Sequence, residues 1–312
     1  MMWDKLNNFG KLRKPFLFIS DFEAKEIVVI PLDELKNYDV EYSIDEHYAY
    51  KKHPYTLKKT PINFDEYKKK FDYVQEKIKN GDTYLLNLTS KTKIETHLSL
   101  IDIFNISNAH YKLRYKDKFV CFSPEKFIQI KNNKINTFPM KGTIDASIPQ
   151  AKSVILANQK EMAEHIMVVD LLRNDLNIVS SNVRVEDFRY ITSIDAGEKK
   201  LLQVSSHICG DLDDSWHGKI GSILKELLPA GSISGTPKKS TLDIIKSTEE
   251  YTRGFFSGVF GIYDGDSFDS GVMIRFIEKT DDGLVYKSGG GITLESDAES
   301  EYNEMLDKVY IP

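Results

Sequence analysis

An α+β fold with largely antiparallel sheets is what this sequence predicts, on three observations. Strand-like and helix-like stretches follow one another in mixed order, without the strict alternation of a doubly wound sheet. Short apolar runs recur between residues 118 and 138 with turn residues between them. The chain of 312 residues, 41% hydrophobic and 29% charged, is long and apolar enough to bury a sizeable core.

Taken in order, Pro15-Phe-Leu-Phe-Ile-Ser20 and Glu26-Ile-Val-Val-Ile-Pro31 read as strands. Residues 48–61, with Lys51, Lys52, Lys58, Lys59 and two prolines, read as a linker or exposed loop. Residues 1–60 are therefore expected to be a short N-terminal element packed on the core, and 61–312 one continuous domain. A helix follows, with Asp65 as its cap, a stripe of Tyr67, Phe71, Val74 and Ile78, and Asn80-Gly81 as its stop. Strands are expected at 83–89, 118–122, 127–130, 134–138, 201–205, 271–275 and 283–286. Residues 160–176 form a strong helix whose middle, Ile166-Met-Val-Val-Asp-Leu-Leu172, is apolar nearly all round, so it is expected to be buried on most sides. A last helix spans about 298–309.

Charge and composition exclude several classes. Forty-two Lys plus Arg against 47 Asp plus Glu give a net charge of -5, which argues against a nucleic-acid binder. No apolar stretch reaches ~18 residues, so no membrane span is expected. The N-terminal residues lack the apolar core of a signal peptide. Cys121 and Cys209 read as reduced, mostly buried thiols. A cytoplasmic protein is expected.

Five constellations could carry chemistry. Phe138-Pro-Met-Lys-Gly-Thr143 joins an amine, a flexible backbone and a hydroxyl after a strand; a turn with a solvated lysine is the plainer explanation. Glu125 in Ser123-Pro-Glu125, between two apolar strands, is either a turn carboxylate in water or an acid or base in a cleft. Glu164 shares a stripe with Val168, Leu171 and Asp175 and must find a partner when buried. That partner is an arginine such as Arg173 or Arg275, or a hard cation such as Mg²⁺. Ala230-Gly-Ser-Ile-Ser-Gly-Thr-Pro-Lys-Lys239 is glycine-rich without the spacing of a phosphate loop. Ser288-Gly-Gly-Gly-Ile292 is either a bulge or an anion-facing backbone. On the last helix Tyr302, Met305, Leu306 and Val309 make the apolar stripe, Glu301 borders it and Glu304 lies nearly opposite, as on a solvated face.

In order along the chain these stretches resemble the chorismate-utilising enzymes. The matching runs are Gly81-Asp-Thr-Tyr-Leu-Leu-Asn-Leu-Thr89, Ser123-Pro-Glu125, Pro139-Met-Lys-Gly-Thr143, Ala163 to Asp175, Pro229 to Lys238, Arg253-Gly-Phe-Phe-Ser-Gly258, Met273-Ile-Arg275 and Gly289-Gly-Gly-Ile292 with the acidic helix after it. The collinear series spans roughly residues 65–310. The resemblance implies two packed, largely antiparallel β-sheets flanked by helices, with 61–312 as a chorismate-binding catalytic core. Members that add water to chorismate carry a general-base lysine where Leu85 stands, which counts against isochorismate and salicylate synthases. Anthranilate synthases usually carry alanine where this chain has Lys141, and a tyrosine where it has Phe256. The lysine resembles the component I branch of aminodeoxychorismate synthase. An anthranilate synthase and a non-catalytic chorismate-binding homologue are the alternatives.

The resemblance further implies roles. Lys141 would be the nucleophile at C2 of chorismate and Glu125 the general acid for the departing C4 hydroxyl. Glu164 and Glu304 would hold Mg²⁺, with Glu161 and Glu301 supporting the metal's waters. Gly142, Thr143, Arg275, Gly289, Gly290, Gly291 and Lys308 would bind substrate. Ammonia would come from solution or from a separate glutamine amidotransferase subunit, since no glutaminase motif with a catalytic cysteine is visible. An ordinary lysine is only about one part in 2,500 neutral at pH 7, a handicap of roughly 4.6 kcal/mol. A desolvated site near Mg²⁺ and Arg275 is expected to lower its pKa.

Overall fold

Strands rich in Phe, Ile and Val build two antiparallel sheets, described by a computed structural model over residues 2–44, 54–196 and 199–312. From the N-terminus come α1 (Met2–Lys11), β1 (Phe16–Ser20), β2 (Ile27–Pro31), β3 (Val40–Ile44), β4 (Lys58–Thr60), α2 (Phe64–Lys79), β5 (Leu85–Glu95) and α3 (Leu100–Ile106). Five strands follow: β6 (Tyr111–Tyr115), β7 (Phe119–Ser123), β8 (Lys126–Lys131), β9 (Lys134–Thr137) and β10 (Met140–Asp145). Then come α4 (Ala151–Ala157), α5 (Gln159–Val179), β11 (Ser181–Ala196), β12 (Lys199–Asp211), α6 (Ile220–Leu227), β13 (Gly235–Thr236) and α7 (Lys238–Glu249). The chain continues through β14 (Val259–Tyr263), β15 (Phe268–Val272), β16 (Phe276–Thr280), β17 (Gly283–Ile292) and α8 (Ala298–Asp307).

The first sheet runs β10-β12-β9-β8-β15-β14-β1-β2, with β11 on the other edge of β12; the second runs β13-β5-β17-β16-β7-β6-β3, with β4 on β5. Strands β1 and β2 are thus hydrogen-bonded members of the first sheet, Phe16 facing Tyr263 across β1 and β14. The α+β expectation and the two flanked sheets agree with this architecture. Of the expected linker at 48–61, residues 48–53 lie outside the described residues, and 58–60 form the exposed strand β4.

Twice the chain crosses directly from one sheet to the other. Sheet-two strand β7 ends at Ser123 and sheet-one strand β8 begins at Lys126, which leaves Pro124 and Glu125 in the passage. In the reverse sense, β15 ends at Val272 and β16 begins at Phe276, leaving Met273, Ile274 and Arg275 in the passage. The two crossings lie side by side, because Val272 N donates to Glu125 O and Phe122 N donates to Arg275 O. The strand expected at 271–275 therefore sits three residues earlier. Arg275 leaves the ladder with φ +52, a left-handed conformation outside the β region.

The helices settle other expectations. Asn63, not Asp65, caps α2; its side chain accepts from Glu66 N. An amide oxygen one residue before the first turn satisfies an orphan N–H, and Asp65 already lies inside the helix. The last helix ends at Asp307 rather than 309. The long helix α5 buries Val168, Val169, Leu171, Leu172 and Leu176, but Ile166 is 49% exposed on one face with Asp170, Arg173 and Asn174, so the helix is buried along one side and not on most sides.

Candidate active site

The crossings open onto a cleft of about 290 Å³ lined by parts of both sheets, α5 and α8. Glu125, Lys141, Gly142, Thr143, Arg275, Gly289, Gly290, Gly291, Glu304 and Lys308 all line it. So do Leu85, Asn87, Gln203, Ser232, Ser234 and Phe256.

Lys141 stands on the edge strand β10, where the register slips between Met140 and Thr143. Gly142 occupies that slip with φ +87, which a residue with a Cβ adopts only under strain. The bulge lays Lys141 against α5, and Lys141 Nζ donates to Glu164 Oε2 at 2.5 Å. Glu164's side chain is 8% exposed. Its partner is thus neither Arg173, which pairs with Asp170 on the surface, nor Arg275, whose guanidinium donates to Lys308 O and lies over the Tyr310 ring. A strand lysine 23 residues upstream is invisible to helical spacing.

Two helix N-terminal regions supply the acids. Asn158 caps α5 and Asp297 caps α8, each accepting from a backbone N–H three residues on. Glu161 and Glu164, and Glu301 and Glu304, are i,i+3 pairs within the first two turns, where a helix favours negative charge. Glu301 is buried at the edge of the α8 stripe and accepts from Ser296 Oγ at 2.8 Å. Glu304 is 58% exposed, faces the cleft and pairs with Lys308 at 2.7 Å. Lys160 lies 4.0 Å from both Glu164 and Glu301. Lys308 Nζ also donates to Gly289 O at 2.8 Å, which ties α8 to the glycine run of β17. A Cβ at Gly289 would lie 2.3 Å from Leu88 O, so that strand approaches β5 too closely for any side chain.

Burial raises the carboxyls of Glu161 and Glu301, and in each case neighbouring carboxylates add to the shift. Glu304 moves the other way: burial opposes its charge, but Lys308, Lys141 and Lys160 together outweigh burial and lower it. For Lys141 burial disfavours the ammonium, but Glu164 overrides it with help from Glu161 and Glu304. Its amine is held above the ordinary value. The expected lowering is the opposite of what these carboxylates do to the amine.

Glu125 receives a hydrogen bond from Ser232 Oγ on Oε1 at 2.5 Å. Burial raises its carboxyl despite Ser232, Lys308 and Lys141. In sequence Ser232 offers one signal only, a hydroxyl within the glycine-rich stretch before Pro237.

The oxygen donors of Glu161, Glu164, Glu301 and Glu304 suit a hard divalent cation in chemistry. Among the described residues no three acidic, imidazole or thiol groups are drawn around one point. Lys141 and Lys160 instead lie among the carboxylates and compensate their charge. Neither cysteine is poised as a nucleophile. Cys121 is fully buried and burial raises its thiol; Cys209 Sγ donates to Glu186, and burial with that contact pushes its thiol up to about 11. Among the described residues no helix is long and apolar enough to cross a membrane.

A family model described as chorismate binding enzyme matches residues 20–312. A Pasteurella multocida protein named an uncharacterized PabA-like protein is 46% identical, over 98% of this chain and 96% of its own. Aminodeoxychorismate synthase component 1 of Salmonella typhimurium is 32% identical, over 78% of this chain and 56% of its own. The menaquinone-specific isochorismate synthase of Escherichia coli has the same fold, with a TM-score of 0.74 over 97% of this chain and 79% of its own, at 16% identity.

Proposed function

The chain belongs to the chorismate-binding enzymes, and on that premise we propose that it is an aminodeoxychorismate synthase component I. It would convert chorismate and ammonia to 4-amino-4-deoxychorismate, a precursor of para-aminobenzoate and folate, in a cytoplasmic setting. The observation that carries this reading is that Lys141 and Glu125, from different elements, both line one cleft. Relatives named aminodeoxychorismate synthase component 1 at about 30% identity support it.

In the proposed reaction Lys141 Nζ forms a bond to C2, the two conjugated ring double bonds each shift by one position, and the C4–O bond breaks. Glu125 gives its proton to that oxygen, which departs as water. Ammonia then bonds to C4, both double bonds shift back and Nζ leaves C2 with its electron pair; the surplus proton of the new C4 ammonium returns to Glu125. The attacking amine must first lose a proton. Glu164 is the base in contact with it, and the raised carboxyl of Glu125 suits an acid that is still protonated near neutral pH. Arg275, Lys308 and the backbone around Gly142 and Gly289–Gly291 would receive the two substrate carboxylates, which a protein of net charge -5 does not attract as a whole. Glu164 and Glu304 would hold Mg²⁺, with Glu161 and Glu301 beside them. When bound, the ion would supply positive charge for the ring carboxylate.

Ammonia would enter as such or from a separate glutamine amidotransferase subunit, a reading supported by two thiols that stay protonated at neutral pH. The test is incubation with chorismate, Mg²⁺ and ammonium, then with glutamine alone, with products identified by mass and chromatography. Formation of 4-amino-4-deoxychorismate with ammonium only is expected. Fluorescent anthranilate as the sole product would replace the reading with an anthranilate synthase, and no turnover would leave a chorismate-binding homologue.

A further inference from the structure

We propose that Ser232 is a positioning residue for Glu125: its hydroxyl occupies one carboxyl oxygen, so that the proton given to the leaving group is carried on the other. The inference rests on the reading of Glu125 as general acid.

The contact from Ser232 Oγ to Oε1 is the one side-chain hydrogen bond of Glu125 among the described residues. A protonated carboxyl has a single O–H and keeps acceptor capacity on its other oxygen. With Oε1 already accepting from the serine, the acid proton belongs on Oε2, and one oxygen alone presents it to the cleft. Without the serine the carboxyl could turn over and divide the proton between two positions. General-acid catalysis depends on that placement, a displacement of about 1 Å being enough to cost on the order of 100-fold in rate.

Ser232 can serve as a fixed point because its own loop is held from several sides. Gly231, Ser232 and Ile233 form a single 3₁₀ turn closed by Ser234, whose N–H donates to Gly231 O and whose Oγ donates to Ala230 O. Ile233 O accepts from both Asn87 Nδ2 and Arg253 Nη1. On the α5 side, Gly231 lies so close that a Cβ there would be 2.7 Å from Asp175 Oδ2, and Lys238 pairs with Asp175 at 3.3 Å. Glu125 is equally constrained, its backbone lying in the sheet crossing with Val272 N bonded to its carbonyl. Two rigid segments from opposite sides of the cleft therefore meet through one hydroxyl.

The charged groups that act on Glu125 are Lys308 at the end of α8 and Lys141 on β10, both favouring the carboxylate, while burial favours the acid. Ser232 is the largest influence opposing burial. Its removal therefore moves the titration of Glu125 further up, in addition to releasing the rotamer.

The test compares wild type with S232A, S232T, E125Q and the double variant S232A/E125Q. In the ligand-free protein carrying ¹³C-labelled glutamate, the Glu125 carboxyl signal is identified by its loss in E125Q. Its midpoint is expected to rise in S232A and to return in S232T. A midpoint that stays or falls in S232A overturns the proposal, and this readout needs no turnover. With chorismate and ammonium, S232A should lower kcat about 10- to 100-fold, because the lost hydrogen bond is one that strengthens as Glu125 becomes a carboxylate on giving up its proton. KM should change little, and S232T should restore most of the rate. On the E125Q background S232A should add less than about twofold, since the two side chains act as one unit. An equal loss on both backgrounds would show that Ser232 acts on the substrate and overturn the proposal. Failure of wild type to aminate chorismate would instead remove the underlying reading, whatever the carboxyl signal does.

Discussion

At Lys141 the amine that a nucleophile needs unprotonated is held as an ammonium by Glu164, and that contact also serves the fold. Glu164 is almost fully buried, and Lys141 is the nearest cation to it. Lys141→Ala should therefore cost about 1–3 kcal/mol of stability, because truncating one partner leaves a buried charge exposed to its full desolvation cost. The double variant Lys141→Ala/Glu164→Gln should recover much of that loss in urea denaturation, and neither should form the 4-amino product. A Lys141→Ala protein as stable as wild type would mean that Lys160 suffices as partner. Lys141 and Glu125 stand out from turn residues in water only through the collinear resemblance, since a single charged side chain after an apolar strand fits a solvated turn as well as a cleft. The Lys141–Glu164 contact was not legible, since it joins a strand bulge to a helix and no periodicity spans the two. Ser232 escaped notice for a related reason: a serine between glycines reads as loop chemistry until its partner across the cleft is known.

Among the elements, the long helices were the readable ones. The stripe Tyr67, Phe71, Val74 and Ile78 is buried as its spacing requires. The strand β6, Tyr111-Lys-Leu-Arg-Tyr115, is not legible in the sequence, because its cations suggest an exposed face, yet all five residues are buried. Lys112 Nζ donates to Phe104 O and Ser107 O at the end of α3, and Arg114 pairs with Asp39 and Glu41. Each charge is consumed by a tertiary partner that the strand's own pattern does not announce. The β10 bulge is the element on which the cleft turns. Gly142→Ala should cost about 1–2 kcal/mol for a side chain at positive φ. Its Cβ would also lie 3.3 Å from Glu161 Oε2 and press on that carboxylate. Catalytic rate should fall more than this stability loss explains, measured as kcat on the fraction still folded at 25 °C. Unchanged kcat would separate the bulge from the positioning of Lys141.

For the molecule as a whole, the acids where α5 and α8 meet the cleft set a pH dependence. Glu161 and Glu301 have folded-state values raised chiefly by burial. A carboxyl raised in this way contributes its full stability below its unfolded-state value, about pH 4, and loses it as pH rises through the folded-state value. Glu161→Gln/Glu301→Gln should thus melt about 2 °C or more above wild type at pH 8, and the difference should vanish towards pH 4. A gain independent of pH would place its origin outside these charges. The fold class was legible at this scale because mixed element order excludes a doubly wound sheet. The two crossings were not, since a chain passing between sheets looks in sequence like any turn after a strand.

The pairing of β1 with β14 sets a clock on synthesis. Tyr263 emerges 247 positions after Phe16. At translation rates of about 5–20 residues per second that is roughly 12–50 s. Throughout that interval Phe16-Leu-Phe-Ile-Ser20, buried at every position in the finished protein, has β2 on one edge and no strand on the other. An apolar hairpin with one bare edge is a template for pairing with a neighbouring nascent chain. Yield in a crowded polysome should therefore depend on how fast residues 259–272 are delivered. Slow codons between the hairpin and that segment should cost soluble protein without altering a single contact in the folded molecule.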